Sequence, residues 1–210
     1  MLHSRRLRFP VAVLGSWLIA ASSWALAGCG SSSKSAKASE SATTAAVKLF
    51  PDDFTSVCQG VGQSRAYGYE ATAAAHKAVY IQTFKDRLQD ASQELPSDWT
   101  VQFDPNADAY AAVDLVGCGT RTASVFLKEC TGYRSKGKET GQKVRLHTAT
   151  YKVSVRVATT GKELGSMVLN ADSTECPMFQ SFDKDQKSVD VYQTPVQDEI
   201  VAFLKPFVQP

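Results

Sequence analysis

Cys29 closes the run Leu26-Ala27-Gly28-Cys29, where small residues lead up to a thiol. The uncharged apolar stretch before it, Phe9 to Leu26, follows Arg5, Arg6 and Arg8. A positive n-region, an apolar core and small residues before a cysteine form the pattern of a lipoprotein signal peptide. The chemistry it specifies is cleavage before Cys29 and acylation of the exposed thiol and amine by palmitate-class chains. At about 0.8 kcal/mol per buried CH₂, two or three acyl chains make a stable lipid anchor. The competing reading is an uncleaved helix, since eighteen apolar or small residues lie near the lower limit for spanning. Pro10 and the Ala/Ser/Gly drift toward Cys29 favour cleavage. Both readings put the rest of the chain on the extracytoplasmic face of a cell membrane.

Carboxylates offer a second kind of chemistry. Asp104, Asp108 and Asp114 are interspersed with Trp99, Phe103 and Tyr110, an acidic and aromatic mixture of the sort that sugar-binding sites use. A glycosidase needs two carboxyls at a set separation, which spacing along the chain does not fix. Asp104, Asp108, Trp99 and Tyr110 are therefore candidate ligand-binding residues, and acidic loops between strands are the alternative. The Asp104-Pro105-Asn106-Ala107-Asp108 run resembles a calcium loop, but it lacks the EF-hand glycine and closing glutamate. His76 and His147 are the only histidines after Cys29, and each reads as structural or solvated. No G-x-S-x-G, H-E-x-x-H, phosphate-binding glycine loop or dinucleotide fingerprint occurs. These residues assign no catalytic residue, no metal and no cofactor.

Composition narrows the partners. The chain has 23 basic and 21 acidic residues, and residues 1–28 contain three of the arginines and no acids. The processed chain is thus near neutral, with 23 less 3, or 20, basic residues against 21 acidic ones. That balance excludes nucleic acid as the expected partner. Lys136 to Lys143 is a basic loop that could touch anionic lipid or wall polymer, with a solvated hairpin loop as the plainer reading. Four cysteines remain once Cys29 is assigned to lipid: Cys58, Cys118, Cys130 and Cys176. An even number in an exported domain points to two disulfides. Cys118–Cys130 across a strand–turn–strand and Cys58–Cys176 as the long bridge are the expected pairs.

The elements that must hold these residues follow from periodicity. Residues 1–28 are the signal peptide, and residues 29–48 carry the lipidated cysteine and a Ser/Ala-rich linker without apolar periodicity. Residues 49–210 make one domain. Tyr151, Val153, Val155 and Val157 alternate with Lys152, Ser154 and Arg156, which predicts a strand with one wet face. The Thr159–Lys162 turn and Glu163–Asn170 complete a hairpin. Ala111–Thr122 and Val125–Tyr133 read as a second strand pair, Val79–Phe84 and Trp99–Phe103 as shorter strands, and Lys85–Leu95 as an amphipathic helix. Ser64–His76 reads as helix or irregular lead-in. The C-terminal helix is marked by Thr194 as N-cap, Pro195 at the first turn and Gln197 at the capping-box position, with Pro206 ending it. Its expected apolar stripe is Val196, Ile200, Phe203 and Phe207. The fold class is α+β: an antiparallel-rich sheet with one or two helices packed on one face, stapled by two disulfides.

Val113 to Cys118, Cys130-x-x-Tyr133, the Tyr151–Gly165 hairpin, Cys176-Pro177-Met178-Phe179 and Pro195 to Val208 together resemble a poorly characterised exported domain. That domain occurs in bacterial lipoproteins and surface proteins of actinobacterial and Chloroflexi type. The resemblance covers roughly residues 56–208. It implies structural motifs and no catalytic residue, while Gly117 and Gly119 depart from it and imply a looser strand. More distantly, the hairpin looks like lipoproteins of the curli-secretion and penicillin-binding-protein-activator type, which present a domain to an envelope partner. The expected function is a membrane-anchored, non-enzymatic binding or scaffold module for an envelope protein or wall polymer. A solute-binding lipoprotein for a transporter and a wall-polysaccharide hydrolase are the alternatives.

Overall fold

The computed structural model describes residues 48–210, so Cys29, the signal segment and nearly all of the linker lie outside the described residues. Five strands run in the order β2-β1-β3-β6-β7, and β8 pairs with β6 beside them. They are β1 (Ala78–Phe84), β2 (Arg87–Asp90), β3 (Leu115–Cys130), β6 (Lys143–Val157), β7 (Glu163–Ala171) and β8 (Ser188–Tyr192). A separate ribbon pairs β4 (Arg134–Ser135), just before the basic loop, with β5 (Lys138–Glu139) within it. Most pairings are antiparallel, but β1 runs parallel to β3 and β8 runs parallel to β6. The architecture is α+β with a mixed, mostly antiparallel sheet, two helices and two disulfides, α1 (Thr55–Cys58) being a single turn and α2 (Gln197–Val208) the one long helix.

The alternation read from Tyr151 to Val157 places Tyr151, Val153 and Val155 in one core with Tyr80 and Leu115. Ile200, Leu204 and Val208 of α2 close that core from above. The inward stripe of α2 therefore includes Leu204 and Val208, while Val196 is exposed and Phe203 and Phe207 only flank the core. The helix begins at Gln197, two residues later than expected. Val196 is its N-cap without a side-chain cap, and Pro206 lies inside the last turn, where few helical bonds remain to be lost. The opposite sheet face is not uniformly wet. Phe54, Val57 and Leu49 pack there on Val79, Ile81 and Val116, and Ser154 is buried with them.

Several expected elements differ. Lys85–Leu95 is not a helix: Lys85 adopts φ +53° at a tight turn, and Arg87–Asp90 pairs antiparallel with β1, Phe84 opposite Arg87. Strand pairing overrides the weak helical pattern there. Trp99–Phe103 forms no strand, although the Trp99 carbonyl accepts from the Ala78 N–H at 2.8 Å. Ser64–His76 is irregular.

Leu115 to Cys130 is one strand of sixteen residues rather than two joined by a turn. Cys118 and Cys130 thus sit about 40 Å apart at about 3.3 Å per residue, far beyond the reach of a disulfide. The bridges are Cys58–Cys118 and Cys130–Cys176, with Cα–Cα distances of 5.5 and 5.8 Å. The first staples α1 to β3, and the second ties the far end of β3 to the loop after β7. The glycines on β3 do not loosen it. A Cβ on Gly117 would lie 2.9 Å from Tyr80 Cδ2, and one on Gly119 would lie 2.3 Å from Tyr80 Oη, so both positions are bare to admit the Tyr80 ring.

Candidate functional site

The acidic and aromatic residues singled out by sequence do not converge. Trp99 is buried in the core beneath α2, and Tyr110 is half-buried on the opposite face. Asp104 accepts from the Asn106 N–H at 2.7 Å, closing its own loop. Asp108 accepts from the Leu49 N–H at 2.8 Å and from Arg65 Nη2 at 2.7 Å, so it pins the start of the domain. Asp114 is buried, accepting from the Lys77 N–H and lying 2.6 Å from His76 Nδ1.

That His76–Asp114 pair has the look of a base oriented by a carboxylate. The His76 side chain is fully enclosed, however, stacked on Tyr69 at 4.8 Å, and its Nε2 meets no partner among the described residues. The His76 N–H donates to the Val208 carbonyl at 2.9 Å. This pair therefore joins the irregular 64–76 segment, the end of α2 and the start of β3, and it presents no nitrogen to solvent.

A different set of side chains does come together on the half of the sheet that α2 leaves open. Beyond Gly119 the strand β3 has lost β1 as a neighbour and pairs with β6 alone. Register shifts around Thr122 and Leu127 bend it, and such bulges re-aim side chains. The Arg121 N–H donates to Thr83 Oγ1 at 3.1 Å, and its guanidinium reaches over the Tyr192 ring at 3.5 Å. A cation over an aromatic face is worth about 0.5–2 kcal/mol, more when desolvated. Tyr192 stacks on His147 at 4.9 Å, His147 meets the edge of Phe126 at 5.7 Å, and Arg145 lies over Phe126. The result is a continuous row: Arg145, Phe126, His147, Tyr192, Arg121. Asp190 fixes His147 through Nε2 at 2.7 Å. His147 is thus a buried-edge member of an aromatic row rather than a free surface residue.

Residues 193–196 cross this face as a strap. The Gln193 N–H donates to the His147 carbonyl at 2.9 Å, and beyond Pro195 the Gln197 side-chain amide donates to the Glu94 carbonyl at 2.9 Å. Beneath the strap lies a recess of 70 Å³, lined by Arg121, Tyr151, Tyr192, Phe84, Lys85 and Thr194 among others. On the far side of Phe84 and Thr194, which border both, is a second, wider recess of 370 Å³ that reaches Pro195 and Ile200. Phe84 is 56 % exposed at their junction.

Arg121 is the most enclosed of the charged groups at the smaller recess, which Lys85 and Asp190 also line. Its side chain is 11 % exposed, Nη2 pairs with the largely exposed Asp86 at 2.8 Å, and Nη1 is buried without an acceptor among the described residues. Burial raises the Tyr151 phenol above its ordinary pKa, and the Arg121 charge beside it acts in the opposite direction. The Tyr151 phenol therefore keeps its proton at neutral pH, and the recess is lined by this donor and by the Asp190 carboxylate, an acceptor. Sequence reasoning missed this arrangement because Arg121 and Tyr192 lie 71 positions apart in the chain. The one local signal was an arginine among small polar residues of a strand, which periodicity alone reads as solvent-facing.

A cluster of loops at the far end of the sheet forms a broader concavity beside the Cys130–Cys176 bridge, where Met178 and Phe179 are almost wholly exposed. No group of three or more His, Cys, Asp or Glu side chains that could hold a metal occurs among the described residues. Among them, too, no helix is long and apolar enough to cross a membrane. Comparison with protein-family models, with curated proteins and with solved structures finds no match to this chain.

Proposed function

We propose that this chain is an exported lipoprotein, anchored through Cys29, whose domain binds an envelope component and performs no catalysis. The observation that carries the reading is the aromatic and cationic row from Arg145 to Arg121. It is open to solvent at Phe126 and continues into the recess under the strap. A sheet face that pairs flat aromatic rings with fixed guanidinium groups suits recognition: it supplies area, shape and donors at low entropic cost. The hydrolase alternative is less well supported, since Asp108 and Asp114 already carry structural hydrogen bonds. The solute-binding alternative draws support from the recess itself, which has the mostly apolar walls and few polar groups of a small-molecule site.

Cross-linking of intact cells carrying the lipidated protein, followed by mass spectrometry, tests the proposal. The expected result is one reproducible envelope partner, lost when Cys29→Ser removes the anchor and weakened by Phe126→Asp on the open face. Capture of bulk membrane protein alone, unchanged by either substitution, refutes it.

A further inference from the structure

We infer that the outer edge of β7 is a dimer interface, where a second copy of this chain adds its own β7 antiparallel and continues the sheet. The inference goes beyond the binding-module reading and does not depend on it. β7 pairs with β6 alone, and among the described residues no backbone hydrogen bond reaches Gly165 to Ala171 from the other side. An open row of N–H and C=O groups is a template for another strand, and natural edges are blunted by charge, proline, bulges or brevity. The other open edges of this sheet have such protection. β2 is four residues long and carries Arg87 and Asp90, β8 carries Asp190, and β3 beyond Arg121 is bent at Thr122 and Leu127 and carries Lys128 and Glu129. β7 has its one irregularity at Leu164. From Gly165 to Ala171 its register with β6 is unbroken, and no side chain there is charged.

Self-complementarity selects the occupant. With Val168 opposite Val168 on a two-fold axis, Met167 meets the second copy's Leu169, Ser166 meets its Asn170 and Gly165 meets its Ala171. Apolar lies against apolar, polar against polar and small against small, the pairing that stabilises a sheet. Centring the axis on Met167 or Leu169 instead sets Ser166 against Val168, or Val168 against Asn170. The core is also unfinished at this edge. Phe207 lies over Gly165, where a Cβ would come within 2.7 Å of its Cζ, and Phe203 meets Phe207 at 5.7 Å. Leu164, Met167, Phe203 and Phe207 are only half-buried against the core under α2. Opposed residues of an antiparallel pair share a face, so a second copy brings its α2 to the same side and covers this apolar rim with an identical one. Glu163, at the end of the strand, is already held by Lys152 and Arg156, which leaves little repulsion toward the second copy's Asp172.

The test expresses the full chain as two differently tagged copies in cells that export it. Wild-type copies should co-purify. Val168→Lys in both copies sets two lysines opposite each other on the axis and should cut co-purification by about fivefold or more, and combining one Val168→Lys copy with one Val168→Glu copy should restore it. Val168 is 65 % exposed, and the lysine–glutamate rescue separates lost pairing from lost fold. Cysteines then read the register, since opposed Cα atoms of an antiparallel pair lie about 4.5–5.5 Å apart, within disulfide reach. Copper–phenanthroline oxidation should cross-link Val168→Cys to itself and Ser166→Cys to Asn170→Cys. Ser166→Cys should not cross-link to itself, its two copies standing about 13 Å apart. Val61→Cys, at a position 61 % exposed, is the control for random collision. Wild-type copies that do not co-purify, co-purification untouched by Val168→Lys, or cross-links at 168 no stronger than at 61 overturn the interface. Any of these with envelope-partner capture intact removes the dimer alone and leaves the anchored-module reading standing.

Discussion

Replacing Gly119 by alanine tests the packing that sets the sheet. Gly119 lies two residues after Gly117, and Tyr80 pairs with Gly117 in register, so the Tyr80 ring lies flat across both glycines. A Cβ at position 119 would sit 2.3 Å from Tyr80 Oη, 3.0 Å from Cζ and 3.2 Å from Gln82 Cγ. Relief requires the ring to shift by about 1 Å, given ordinary contacts of about 3.5 Å. The ring has little room, because Tyr80 is fully buried, Leu204 of α2 closes over Gly117, and the hydroxyl is held at 2.9 Å from Gln82 Oε1. Overpacking of this kind costs about 1–3 kcal/mol, against which alanine regains about 0.5–1 kcal/mol of strand propensity over glycine. A net loss of about 1–2 kcal/mol is expected, or a fall in Tm of about 2–8 °C for a domain of this size.

Urea unfolding followed by the fluorescence of Trp99, which is buried in the same core, reads it directly. Tyr80→Phe removes the clashing oxygen, so Gly119→Ala should cost at least about 0.5 kcal/mol less in that background, the lower bound for coupled neighbours. Gly68, with open space around its Cβ position, is the control and should change stability by no more than about 0.5 kcal/mol. Equal effects at Gly119 and Gly68, or a Gly119 cost untouched by Tyr80→Phe, would refute the argument.

The Cys58–Cys118 and Cys130–Cys176 bridges close loops with separations of 60 and 46 residues. Chain entropy assigns each about 4 kcal/mol, so either Cys-to-Ser pair should lower the urea midpoint substantially, and non-reducing peptide mapping should recover these two linkages and no others. Glu163 is held below its ordinary pKa of 4.5, chiefly by the hydrogen bond from Lys152, with Arg156 adding charge. A lowered folded pKa stabilises above the unfolded value and is lost as pH falls through the folded one. Stability should therefore decline on acidification below about pH 4.5, and Glu163→Gln should flatten that part of the profile measured by thermal melts.

What the sequence determined is whatever depends on near neighbours. The alternation from Tyr151 to Val157, the turn at Gly161 and the returning strand are legible because a strand's two faces repeat every second residue. The same holds for the amphipathic C-terminal segment, although the face that packs on the sheet is Ile200, Leu204 and Val208 rather than Val196, Ile200, Phe203 and Phe207. An even cysteine count was enough to imply two bridges.

Tertiary structure decided which cysteines meet, because Cys118 and Cys130 belong to one continuous strand where the sequence reads as strand–turn–strand. It also turned Arg87–Asp90 into an edge strand against its helical pattern, since a backbone ladder with β1 outweighs propensity differences of a few tenths of a kcal/mol. The glycines on β3 acquired their meaning from Tyr80, a residue on another strand. The recess under the strap belongs to no single segment: Arg121, Tyr192 and Phe84 come from three strands, and only the folding of those strands into one sheet brings their side chains within reach. Periodicity is a property of neighbours along the chain, whereas a site is a property of neighbours in space.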